Sequence, residues 1–258
     1  MINDWIDIYK YREFLKNSVS KDLRTRYRGS IFGFLWTFLN PLLMLVVYSV
    51  LFSIVVRMQV DNYPLFLFST LLSWNFFSSS ILSGSSIVVG SGSLIKKIYF
   101  PHEILPISIV MGGLVNYIYG LVILIPALCL YGYYPNINYI YIPLILLIQV
   151  VLTLAITFLV SSLTVFFRDL EHMLVIIVNA LFYLSGVLFP LTTVPEEARW
   201  LFYYNPIAML MNSYRDVFYY NQMPNMISLS IIGVFSLMSL IVAQRIFAKL
   251  KFRFIEEI

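Results

Sequence analysis

Six stretches of this chain are longer and more apolar than a water-soluble helix requires: residues 32–56, 63–83, 105–131, 140–165, 173–192 and 225–247. About 20 apolar residues cross the hydrocarbon core of a bilayer, and backbone facing lipid must pair its own amides and carbonyls. Each stretch is therefore expected to be a transmembrane helix. Charge agrees: 12% of the 258 residues are charged, against about 25% in an average soluble domain. The fold expected is an all-α integral membrane protein, one domain over 1–258. An interface helix would occupy 1–30, a six-span bundle 32–247 and a cytoplasmic tail 248–258.

The basic residues orient the bundle. With the N-terminus inside, 14 of the 17 Lys and Arg fall on inner segments: Lys10, Arg12, Lys16, Lys21, Arg24, Arg26, Arg28, Lys96, Lys97, Arg168, Arg245, Lys249, Lys251 and Arg253. Arg57, Arg199 and Arg215 fall outside. The positive-inside rule then places both termini in the cytoplasm. The same bias accounts for the net charge of +4, so no nucleic-acid partner is expected. Cys129, the single cysteine, lies in an apolar run and implies neither a disulfide framework nor a thiolate metal site. The first 28 residues lack an apolar core ending in a small-residue cleavage site, so a cleavable signal peptide is not expected.

Three connecting segments are unusual. In residues 4–23, Trp5, Ile8, Tyr11, Leu15, Val19 and Leu23 share one helical face, opposite Lys10, Glu13, Asn17 and Lys21. Such a helix lies among the inner headgroups, and anchoring is its simplest role. Arg24, Arg26 and Arg28 follow at alternate positions. Orientation alone accounts for them, yet they stand at headgroup level, where a planar guanidinium suits a phosphate. Residues 84–104 carry small residues, then a stretch Leu94–Tyr99 able to form a short helix stopped by Pro101. That segment reads either as a docking element presenting Lys96 and Lys97 or as a plain basic loop. Residues 193–224 contain two helix starts, Pro195 before Glu196 and Glu197, and Asn205 before Pro206. Neither helix is long enough to span, and a pair dipping into the outer leaflet is expected.

Chemistry for catalysis is missing. His102 and His172 have no partner at metal-ligand spacing, and the carboxylate pairs Glu196/Glu197 and Asp169/Glu171 fall on opposite sides of the membrane. No Gly-rich phosphate loop ends in Gly-Lys-Ser/Thr. The spans are nearly free of ionisable residues, which an ion-coupled carrier would need. Their polar residues are Asn75, Asn116, Gln149 and Asn179, which either join helices or face a cavity. Any transport must draw its energy from elsewhere. Aromatic residues make 17% of the chain, and those at Trp36, Phe38, Tyr48, Phe52, Trp74, Phe76, Phe77, Tyr117, Tyr119, Phe182 and Tyr183 are spread through the spans. Flat apolar faces with hydroxyl edges suit sugar rings; ordinary lipid-facing and packing rings are the plain alternative.

Five segments carry a resemblance: "RYRGSIFGFLWTFLNPLL" (26–43), "KKIYFPHEILP" (96–106), "FFRDLEHML" (166–174), "LSGVLFPLTTVPEEARWLFYYNP" (184–206) and "SYRDVFY" (213–219). Together, and in this order, they resemble the permease subunit of ABC exporters of lipid-linked polysaccharide, a group that includes O-antigen, teichoic acid and capsule exporters. The resemblance implies a half-transporter in the bacterial inner membrane that pairs with a second copy and binds two ATP-binding cassette subunits. ATP and Mg2+ would be held by those partners, with no cofactor or metal in this chain. It also implies a coupling helix within 90–100, with Ser93, Leu94, Lys96, Lys97, Tyr99 and Phe100 against the ATPase. Arg24, Arg26 and Arg28 would border the access route of a lipid diphosphate. Channel aromatics would be Trp36, Phe38, Tyr48, Phe52, Trp74, Phe182 and Tyr183. A periplasmic gate would comprise 195–204 and 206–219, with Trp200, Phe202, Tyr203, Tyr204 and Tyr214. The cargo expected is an undecaprenyl-diphosphate-linked polysaccharide, O-antigen by preference within lipopolysaccharide biosynthesis. The rivals are an exporter of drugs or lipids, and an integral membrane polyprenyl-phosphate transferase, whose acidic metal motifs are missing here.

Overall fold

The computed structural model describes residues 9–26, 30, 32–57 and 60–258. Among these residues the chain is helical, with no strand. Helix α1, Arg12–Arg26, carries the described part of the amphipathic pattern; Trp5 and Ile8, assigned to the same face, lie outside the described residues, as does Arg28. The first span is α2, Trp36–Ser49, which widens into a π turn over Val50–Val55. The second is α3, Tyr63–Ser85, begun by Pro64 in its first turn. Two single-turn helices follow, α4 (Ile87–Gly90) and α5 (Gly92–Ile95). Spans three and four are α6, Ile104–Leu130, and α7, Ile142–Phe166, the latter entered through a 3-10 turn over Ile137–Tyr141.

The fifth apolar stretch forms a shorter helix than expected. Helix α8 covers Leu170–Leu184, about 22 Å at 1.5 Å per residue, short of a ~30 Å hydrocarbon core. The chain leaves the helix at Gly186, whose φ of +64° favours glycine. Residues 185–190 are non-helical, followed by a 3-10 turn at Leu191–Thr193. The outer segment then forms a 3-10 turn at Glu196–Ala198, helix α9 (Trp200–Tyr203) and helix α10 (Pro206–Phe218). Helix α11, Met226–Leu250, is the last span, capped by the Asn225 side chain accepting from the amides of Ile227 and Ser228. The final residues fold back as a 3-10 turn, Lys251–Arg253, and helix α12, Phe254–Glu257. Among the described residues five helices are thus long and apolar enough to cross a membrane, and α8 is a shorter sixth.

Helix α3 is the centre of the bundle. Of its apolar window 78% is buried, against none of the window Phe38–Val55 in the first span. It packs on α6, α7, α8 and α10, while α7 and α11 pair along their length. Glycines set two of the close approaches. A Cβ on Gly84 would sit 2.3 Å from Thr157 Cγ2, and one on Gly113 2.5 Å from Ser80 Oγ. Small residues let helix backbones meet where lipid offers no hydrophobic drive between them.

Candidate functional site

Helix α1 and the C-terminal helix α12 converge beneath the segment between spans two and three. Phe14 of α1 lies 4.9 Å from Phe100, ring centre to ring centre. His102 packs between Phe100 and Phe254, and Phe254 also meets Phe247 at 5.4 Å. Burial lowers the His102 pKa from its usual range, although neighbouring Glu103 opposes this. Lys251 donates to Glu103 Oε1 at 2.6 Å, joining the end of α11 to the start of α6. Ile258 tucks so closely against Gly92 that a Cβ there would lie 2.2 Å from its Cγ2. Residues 251–258 therefore pack beneath the segment that joins spans two and three. Replacing Lys251 with Met is expected to lower stability by about 2 kcal/mol, because Glu103 is buried and loses a charge-assisted bond. Thermal unfolding of the purified protein reads this directly.

On that base Ser93, Lys96, Lys97, Ile98 and Tyr99 project outward, Tyr99 being 91% exposed. Two expectations change here. The helical turns are α4 and α5, which end at Ile95, so Lys96–Ile98 form a turn rather than part of a helix over Leu94–Tyr99. Phe100 is buried among the rings just named, and Leu94 is half-buried; neither offers the partner a free surface as the remaining four expected contacts do. Arg24 is exposed on α1. The side chain of Arg26 and all of Arg28 lie outside the described residues.

Within the membrane, α2 and α8 leave adjacent apolar faces uncovered. Val46, Val47, Val50, Ile54 and Val55 are exposed on the first, and Met173, Ile176, Ile177 and Tyr183 on the second. The two helices meet through Tyr48 and Phe182, ring centres 5.7 Å apart. Asn179 is exposed one turn from Tyr183 on this otherwise apolar surface. Of the expected channel aromatics, Tyr183 is the exposed one. Trp36, Phe38, Tyr48 and Phe52 are half-buried. Trp74 and Phe182 are buried against each other at 5.4 Å and brace α8 to α3. They serve packing inside the protomer, because α3 is surrounded on all sides.

Segment 193–224, which the charge distribution assigns to the outer side, is held by a buried arginine. Arg215 is 2% exposed. Its Nη2 donates to the carbonyls of Gly186 (2.8 Å) and Val187 (3.1 Å) and to Thr70 Oγ1 (3.4 Å), while Nη1 reaches Asn212 Oδ1 at 3.3 Å. The guanidinium lies 3.9 Å above the Phe66 ring. These carbonyls lie in the non-helical turn just past the end of α8, so the arginine pairs backbone that no helix pairs. Beside it, Tyr214 donates to Gln149 Oε1 at 2.6 Å, and Gln149 Nε2 donates to the Ser73 carbonyl at 2.7 Å. Gln149 thus joins α7 to α3 and α10. Asn205 caps α10 through the Ile207 amide and also donates to the Leu184 carbonyl.

The outer rim consequently differs from expectation. Trp200, Tyr203 and Tyr204 are exposed, Tyr204 at 83%. Phe202 is buried against Phe189, and Tyr214 is fully buried in the Gln149 network. A side chain absorbed by packing and hydrogen bonds cannot form a rim. Arg215 itself could have been suspected from its place between apolar neighbours in helix spacing, Met211 and Phe218.

Among the described residues no three His, Cys, Asp or Glu side chains converge to hold a metal ion. The profile of the ABC-2 type transporter family matches residues 14–219. An O-antigen export system permease protein RfbA from Myxococcus xanthus is 37% identical over 254 residues, covering 98% of each chain. A protein of the same name from Klebsiella pneumoniae is 36% identical over 238 residues, 92% of each chain. The polysialic acid transport protein KpsM of Escherichia coli is 22% identical over 229 residues, 86% of this chain and 87% of its own.

Proposed function

The chain belongs to the ABC-2 type transporter family, and from that premise we propose that it is the permease of an ATP-driven exporter of undecaprenyl-diphosphate-linked polysaccharide, O-antigen by preference. It is a multi-pass membrane transport protein rather than an enzyme, and works with an ATP-binding cassette subunit. The observation that carries the cargo assignment is similarity along nearly the whole chain to permeases named for O-antigen export. The weaker likeness to a polysialic acid transport protein favours capsule polysaccharide as the second reading.

In the proposed assembly, two copies meet along the uncovered faces of α2 and α8. That arrangement is supported by the apolar exposure there and by Asn179 and Tyr183, a polar pair poorly suited to lipid. The glycan passes between the copies, and Trp200, Tyr203 and Tyr204 border its outer exit. Both termini lie in the cytoplasm, as the distribution of Lys and Arg favours. Each copy docks one ATPase through Ser93, Lys96, Lys97 and Tyr99, and the ATPase holds ATP and Mg2+. ATP-driven movement of this segment is passed to the spans through the packed rings of Phe14, Phe100, His102 and Phe254. Arg24, Arg26 and Arg28 meet the lipid diphosphate at the inner leaflet.

Co-expression with the cognate ATPase tests the reading. The two chains are expected to co-purify, and their ATP hydrolysis to rise with lipid-linked glycan. Replacing Arg26 and Arg28 by Lys keeps the charge but removes the planar fork, and should reduce that stimulation roughly tenfold. Stimulation by drugs or phospholipids but by no lipid-linked glycan would overturn the cargo assignment.

A further inference from the structure

A cavity of about 450 Å³ lies inside the single protomer, enclosed by α2, α3 and α6. Trp36, Asn40, Asn75, Ser78, Ser79 and Asn116 supply its polar lining, and Phe76 and Tyr117 add rings. Its depth follows from the helices. Asn75 stands 12 residues into α3 and Asn116 12 residues into α6, each about 18 Å along its helix at 1.5 Å per residue. Both amides are therefore near the middle of the membrane, while Trp36 and Asn40 open the cavity toward the inner leaflet.

Polar groups at this depth need partners, since lipid provides none. Asn116 Oδ1 is buried and has no hydrogen-bond partner among the described residues. The hydroxyls of Ser78 and Ser79 donate to carbonyls of their own helix, at 3.4 Å each, and keep lone pairs for a donor. The indole of Trp36 is half-buried, held by a 2.8 Å bond to Ser30 Oγ. The lining therefore offers mainly acceptors and amides, together with ring faces. Among the described residues no Lys, Arg, His, Asp or Glu lines the cavity.

That composition discriminates among ligands. A phosphate or carboxylate would find no cation. A hydrocarbon chain would fill the volume but leave the amides of Asn40, Asn75 and Asn116 without a polar partner. A neutral ring bearing several hydroxyls satisfies both halves of the lining: its O–H groups donate to the amide and serine oxygens, and its C–H face lies on an aromatic ring. The volume falls within the ~300–1,000 Å³ of small-molecule sites. We propose that this cavity is a saccharide subsite within each protomer, taking one neutral sugar unit of the cargo near the middle of the membrane. The inference rests on the glycan-export reading and adds to it a place where the glycan is held by one protomer.

The full chain in complex with its ATPase, in lipid nanodiscs, provides the test. Two probes are compared by equilibrium binding: a polyprenyl diphosphate bearing one N-acetylglucosamine, and the same lipid without sugar. Wild type is expected to bind the sugar-bearing probe about tenfold more tightly, equivalent to roughly 1.4 kcal/mol. Asn116→Leu should erase that preference and leave affinity for the sugar-free probe intact. Trp36→Ala, at the half-exposed cavity mouth where folding is less at stake, should reduce it at least about threefold. A preference that survives both substitutions, or one absent from wild type, overturns the subsite. Surface glycan on cells carrying the wild-type chain separates the two levels. Glycan displayed without a sugar preference sinks the subsite alone, whereas binding of neither probe and no displayed glycan sinks the export reading with it.

Discussion

Replacing Arg215 with Leu is expected to cost about 3 kcal/mol and to abolish glycan display. The leucine would fill much of the space and remove a buried charge, which by itself favours the folded state. Against that, the carbonyls of Gly186 and Val187 and the hydroxyl of Thr70 would lose their shared donor where water does not replace it. Leaving buried acceptors unpaired costs roughly 1–3 kcal/mol each, and the losses overlap because one nitrogen serves all three. Arg215→Lys should fail nearly as badly, since an ammonium lacks the plane that lies on Phe66 and the fork that spans the cluster. Phe66→Leu removes the ring beneath the guanidinium and its contacts with Tyr63 and Tyr219 but leaves the hydrogen bonds, and should cost less, about 1–2 kcal/mol. Thermal unfolding of the three variants should therefore rank Arg215→Leu and Arg215→Lys below Phe66→Leu. A fully stable, fully active lysine variant would show that the arginine's geometry is dispensable.

The long helices were legible because a bilayer demands the same thing of every span, an uninterrupted apolar run, and that demand is written residue by residue. The cap at Asn205 was legible because it is local: the side chain and the Ile207 amide it pairs lie two residues apart. The end of α8 was not legible. It depends on Gly186 turning the chain and on Arg215, 29 residues later, donating to two carbonyls of that turn. Backbone carbonyls leave no mark in a sequence, so nothing in it tied Arg215 to this turn. Gln149 stood out as a polar residue in a span, but its partners Ser73 and Tyr214 come from two other helices. The aromatics show the limit most plainly. Trp74 and Tyr183 look alike in composition, yet one is enclosed because α3 is central and the other is open because α8 is peripheral. Similarly, Phe100 and Tyr99 are adjacent and point opposite ways, which no count of exposed aromatics could separate.

That same contrast makes the cytoplasmic turn the place to separate coupling from folding. Changing Lys96 and Lys97 together to Glu is expected to leave the protein folded and to abolish transport. Both side chains are exposed, and the core beneath them is built from Val88, Ile95 and Phe100, which the change does not touch. At the proposed interface, however, two cations become two anions facing a surface shaped for positive charge. Like-charge juxtaposition costs several kcal/mol, so affinity for the ATPase should fall about 100-fold or more, since each 1.4 kcal/mol is tenfold. Changing the lysines to Ala should weaken the complex less, and its wild-type affinity should fall with added salt, as exposed charges are screened within about 8–10 Å. Tyr99→Ala supplies the apolar half of the comparison: it should weaken the complex without altering the salt dependence, because an almost wholly exposed ring contributes area rather than charge. Binding measured by co-purification and by titration at two salt concentrations distinguishes these outcomes. If the double Glu variant binds the ATPase as wild type does and still displays glycan, Lys96 and Lys97 are topological anchors and the docking surface lies elsewhere.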